Sequence, residues 1–261
     1  MRALRSGWVL PLAWAGAGLL PGAAGWADAR VLLGHAALTA APLGAWLGYR
    51  ALSIPGPRVG PGLRRAFALA ALALAGLAVA CCVAHFGGPR GGLAPRLWAG
   101  ALACGGWLAG GLALGIFAGA RVRRSGQSEE ATPWRLCAAL WLIGLGFQAL
   151  PDRAGLGGEA WARRSPEIAA RAFALAPWTI ALEAAGVDWM RHPAAYTAAG
   201  TDWISGVRRG PAPLPAAALS AASGAGLLVL ACLWVLAKAR SPLKEWPRGP
   251  ELGGSAGPGP G

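Results

Sequence analysis

The stretch LWAGALACGGWLAGGLALGIFAGA, residues 97–120, contains no charged side chain. A bilayer core is crossed by ~20 predominantly apolar residues in a helix, so this segment is long enough to span. A helix of that length in water would need a polar face, and none is present. The segment also carries glycine at fixed spacing: Gly106 and Gly110, then Gly111, Gly115 and Gly119. Small residues four apart let a second helix approach closely inside a membrane, where burial of apolar surface no longer drives association. Two such series on one segment mark it as the central packing helix.

Four further segments read the same way on either side of it: 31–49, 66–87, 134–150 and 213–237. Pro133 suits the start of the third of these. Segment 169–187 is weaker, because it holds Arg171, Pro177 and Glu183; it reads as helical but interfacial or re-entrant rather than firmly spanning. Hydrophobic residues make up 55% of the 261 positions and charged residues 13%, against about a quarter charged in soluble domains. The fold expected is therefore all-α, a polytopic transmembrane helix bundle of about six spans. Its bounds would be 30–240, with a Pro/Gly tail at 241–261 that should be disordered.

Residues 1–29 fit a signal peptide as well as a first helix: Arg2 and Arg5 precede an apolar run, then Ala27-Asp28-Ala29 offers a small-residue site. Either way Val31 starts on the outer side. The basic loops with Arg50, Arg58, Arg64, Arg65, Arg121, Arg123 and Arg124 then face inward, as the positive-inside rule prefers. The tail with Lys238, Arg240, Lys244 and Arg248 would face outward if 169–187 crosses, which argues against that crossing. The net charge of +13 thus belongs to membrane-flanking arginine and does not indicate nucleic-acid binding. Abundant Arg, Ala and Gly with no Asn indicate a bacterial, GC-rich coding bias, and the chain is expected as a multi-pass protein of the inner (plasma) membrane. Trp26, Trp46, Trp98, Trp134, Trp189 and Trp203 fall near segment ends, where indole rings favour the headgroup layer. The five cysteines all lie in apolar segments without zinc spacing, and read as small packing residues.

Few residues could carry chemistry. His35 lies about four residues inside the start of its segment, and His85 about two from the end of the next. Consecutive spans are antiparallel, so both imidazoles come to similar depth near the outer face, flanked by Gly34, Ala36, Ala84 and Gly87. Haem b takes two axial nitrogens from opposite sides of the iron, and His35 with His85 is the candidate metal-ligating pair. The simpler reading is two boundary histidines bonded to water or carbonyls. Glu183 could relay protons or contact quinone, or be a solvated side chain on a polar face. Asp188-Trp189-Met190-Arg191-His192-Pro193-Ala194-Ala195-Tyr196 is the most distinctive loop; Trp189 and Met190 could line a cofactor or quinone pocket, or anchor the interface. No Gly-x-x-x-x-Gly-Lys loop is present, and no acyl-transfer serine has a histidine at its depth.

The run Trp189-Met190-Arg191-His192-Pro193-Ala194-Ala195-Tyr196 resembles a Trp-Met-Gln-x-Pro-x-Gly-Tyr stretch of subunit I of the cytochrome bd-type quinol oxidases. Arg30, His35 and Pro42-Leu43-Gly44 are similar to that family's first helix, and His85-Phe86-Gly87 to the end of its second. The resemblance implies haem ligation by His35 and quinol chemistry with other membrane subunits. The family's paired glutamates have no counterpart in 97–120, and Arg191 stands where the family has Gln. Three functions follow as expectations: a haem-b subunit of a respiratory electron-transfer complex acting with quinone, a transporter or permease component, and a non-catalytic scaffold or assembly subunit.

Overall fold

The computed structural model describes residues 29–53, 59–87, 94–125, 131–154, 176–187 and 213–240. They form six helices: α1 (Ala29–Ser53), α2 (Gly60–Gly87), α3 (Ala94–Ser125), α4 (Ala131–Ala154), α5 (Pro177–Ala184) and α6 (Pro213–Arg240). No strand occurs among the described residues. Each of the five strongly apolar segments is a helix, and α2, α3 and α6 are long and apolar enough to cross a membrane over Gly60–Val83, Arg96–Arg124 and Leu214–Ala239. Leu219, Leu227, Val229, Leu230 and Leu233 of α6 are all exposed. Such a surface would aggregate in water and is at home in lipid. The signal-or-helix segment 1–28 and the tail 241–261 lie outside the described residues.

The arginines expected in loops are mostly helical. Arg50 closes α1, Arg64 and Arg65 sit in the first turns of α2, and Arg121, Arg123 and Arg124 extend α3 to Ser125. Arginine is a good helix former and a cation in a last turn is favoured by the helix dipole. Apolar length alone therefore understates these helices by a turn.

Glycine fixes how the helices meet. A Cβ on Gly111 or Gly115 would strike the backbone of Ala41 or Ala45, and one on Gly119 would lie 2.8 Å from the Tyr49 carbonyl oxygen. The fit is reciprocal: a Cβ on Gly44 would lie 2.7 Å from the Leu112 nitrogen, and one on Gly48 2.5 Å from the Leu112 oxygen. Positions 41, 45 and 49 meet 111, 115 and 119 in rising order, so α1 and α3 are parallel and in backbone contact. The other glycine series turns to a different partner. Gly106 backs onto Ser220 and Ala221, and Gly224 onto Gly106. Further along, the Phe117 and Trp234 rings lie 5.0 Å apart, so α6 is parallel to α3 as well. The two series on 97–120 thus serve two neighbours, and α3 is the hub.

The remaining long helices run the other way. Gly62 of α2 abuts Ala51 and Leu52, while Leu77 and Cys81 share a buried cluster with Leu33 and Leu97. Cys137 of α4 donates its S–H to the Pro42 carbonyl at 3.2 Å, and Gly144 faces Leu38. Pro42 lacks the N–H that would close the turn on Leu38, yet α1 runs through it unbroken.

These directions gather the basic residues. Arg50, Arg64, Arg65, Arg121, Arg123, Arg124, Arg135, Lys238 and Arg240 come to one end of the bundle, and Arg30, Arg96 and Arg153 to the other. The last residues of α4 and the first of α6 also share the Arg96 end. Within segment 169–187 the described residues are 176–187, and their one helix is α5. Of the about six spans expected, the described residues hold five long helices, and α5 is only eight residues. Its brevity is written locally. Pro177 occupies the first helical position, and Gly186 ends the helix with φ 79°. Val187 N–H then bonds the Leu182 carbonyl at 2.9 Å and Gly186 N–H the Glu183 carbonyl at 3.0 Å, the paired closure of a glycine-terminated helix.

Candidate functional site

Polar and aromatic groups meet at the Arg96 end. There α5 lies across the starts of α1 and α3, seated on two glycines. A Cβ on Gly34 would come within 2.9 Å of Leu182 and 3.0 Å of Trp178; one on Gly100 would come within 2.9 Å of the Ala181 carbonyl oxygen. Leu182, Ile180, Ala181 and Thr179 are buried in this seat. Arg96 lies against Gly186, 2.5 Å from where a Cβ would stand, which sets a guanidinium by the carbonyl end of α5.

His35 stands beside this seat. Its ring is 5.3 Å from that of Trp178, tilted by 47°, and the side chain is exposed. One turn on, the Thr39 hydroxyl donates to the His35 carbonyl at 3.0 Å and to that of Ala36 at 3.2 Å. His35 is not among the α1 residues of the two buried clusters, which run from Leu33 to Leu52. The structure thus brings His35 to Trp178. His85 is in the last turn of α2, and only its backbone is described. Trp189 and Met190, with the rest of the loop through Tyr196, lie outside the described residues. Glu183 is half-buried on α5.

Two indole N–H groups, Trp178 Nε1 and Trp107 Nε1, are buried without a hydrogen-bond partner among the described residues. His35 and Trp178 together offer an imidazole, a π-face and an indole N–H within one small region. Among the described residues no group of three or more His, Cys, Asp or Glu side chains is placed to hold a metal ion. The Cys104 thiol is engaged internally, donating to the Leu33 carbonyl at 3.4 Å.

Sequence reasoning found His35 and missed Trp178. The signal was available: Pro177 and Gly186 bracket a short helix, and Gly34 and Gly100 offer it a flat seat. In comparisons with known proteins, the chain matches no family model, no curated protein and no solved structure.

Proposed function

We propose that this chain is a multi-pass scaffold subunit of a bacterial plasma membrane, a rigid hub that holds partner subunits and not a conduit. The observation that carries the reading is the reciprocal glycine contact of α1, α3 and α6. Transport sites lie near the midplane among interrupted helices; here the three central helices are continuous and touch backbone to backbone. The proposed topology has five crossings among the described residues. It puts the arginine-rich end in the cytoplasm and α5, His35 and Arg96 at the outer face, as the positive-inside rule favours. Mildly solubilised membranes run on a native gel test the role. A scaffold migrates well above its 26.4 kDa plus detergent, together with partners that Gly111→Leu releases. Migration as a lone subunit in both forms would falsify it.

His35 favours a second reading, a subunit of an electron-transfer complex. An exposed imidazole beside Trp178 can serve as an axial ligand for haem b, the second ligand coming from His85 or from a partner subunit; haem would supply one-electron transfer at the outer face. Quinone contacts by Trp189 and Met190 belong to the same reading. A Soret band in the purified protein that His35→Ala abolishes supports it, and a colourless preparation removes it.

A further inference from the structure

At the arginine-rich end a groove of about 520 Å³ opens between α3 and α6, lined by Leu114, Phe117, Ala118, Arg121, Arg124 and Trp234. Its lining is graded. Leu114, Phe117 and Ala118 form an apolar floor running along α3 toward the middle of the bundle. Arg121 and Arg124 stand one and two turns beyond, so the change from hydrocarbon to charge occurs over about 10 Å of helix at ~1.5 Å per residue. Trp234 forms the wall from α6 and touches both parts. Its ring is 5.0 Å from Phe117, and the Arg124 guanidinium sits 4.8 Å over it. That stacking holds a long side chain at the groove mouth at little entropic cost. Among the described residues no acidic side chain lines the groove.

We propose that this groove is a binding site for one anionic diacyl phospholipid. The phosphate lies between Arg121 and Arg124, where planar guanidinium groups suit its oxygens, and an acyl chain follows Leu114 and Phe117 into the bundle flank. Two cations with no acidic side chain among the described lining residues call for negative charge, and the apolar floor calls for a chain attached to it. Basic pockets between membrane helices on the cytoplasmic side recognise anionic headgroups in this way. The site is independent of His35 and of any scaffold role, and rests only on the two helix ends lying at a membrane surface.

Native mass spectrometry of the delipidated full-length protein, offered phosphatidylglycerol, phosphatidylcholine or inorganic phosphate, tests it. Phosphatidylglycerol is expected to bind in preference to phosphatidylcholine. Arg121→Gln/Arg124→Gln should reduce that preference by up to roughly thirtyfold, the effect of two basic side chains at a charged surface, whereas Arg64→Gln/Arg65→Gln should leave it intact. Ala118→Phe, which keeps every charge and fills the groove, should also lose the lipid. Equal loss in the two arginine pairs, or retention in Ala118→Phe, would show diffuse surface charge and overturn the site. Phosphate bound as tightly as the lipid would overturn the acyl-chain contact.

Discussion

Single glycines decide more here than any polar group. At Gly115 the nearest atoms a methyl would meet belong to the Ala45 backbone, which cannot swing aside as a side-chain tip can. Gly115→Ala should therefore destabilise the bundle by about 1–3 kcal/mol, the usual cost of overpacking. Gly226, on the same helix as Gly224, has nothing within 4 Å of its would-be Cβ. Gly226→Ala should be neutral or stabilise by up to about 1 kcal/mol through helix propensity. Thermal unfolding in one detergent, read by circular dichroism, compares the two; equal shifts would contradict the glycine contact. The value of Gly111, Gly115 and Gly119 was legible in their spacing, because four-residue periodicity puts them on one face. Gly34, Gly44, Gly48 and Gly100 were not, since a partner's glycines cannot be told from ordinary ones until the two helices are paired. His35 was legible as a polar intruder in an apolar run, whereas its direction was not: facing depends on which side of α1 the neighbours take.

Among the elements, α5 depends most on others. Eight residues cannot form a stable isolated helix, so α5 persists because its caps fix its ends and Gly34 and Gly100 accept its face. Gly100→Leu should lift it off, and hydrogen–deuterium exchange at residues 180–187 should speed up while exchange in α3 beyond Gly106 stays slow. Unchanged protection would mean that α5 is held by something other than this seat. The five long helices were readable from apolar length, because backbone groups in lipid must pair within their own segment. Their ends were not, since arginine continues a helix after hydropathy has fallen. The extent of 169–187 was ambiguous for a related reason: Arg171 and Glu183 lower its hydropathy without saying where the helix begins, and Pro177 with Gly186 supply the limits.

For the whole molecule, parallel packing of α1, α3 and α6 carries a topological commitment. Both Arg124 and Lys238 end at the same face, so a green fluorescent protein fused after Arg240 should fluoresce, while alkaline phosphatase at the same site should be inactive. The reverse pattern would place the arginine-rich end outside and refute the proposed orientation. The sequence left the tail's side open because it turned on whether 169–187 crosses. Gly106 beside Ser220 fixes the direction of α6 relative to α3 without reference to the intervening chain.

The α1–α3 contact also has a schedule. Gly48 leaves the ribosome some sixty residues before the Leu112 and Ile116 backbone it will touch, which is several seconds at roughly 5–20 residues per second. Meanwhile α2 must enter the bilayer and stand aside, so that a helix made later can occupy the place next to α1. During that interval the newborn chain exposes a notched helix with no mate, the form that quality-control proteases can survey. Chains halted after residue 93 should be cleared quickly, and chains halted after 125 should last longer, because the latch between α1 and α3 has by then been able to close.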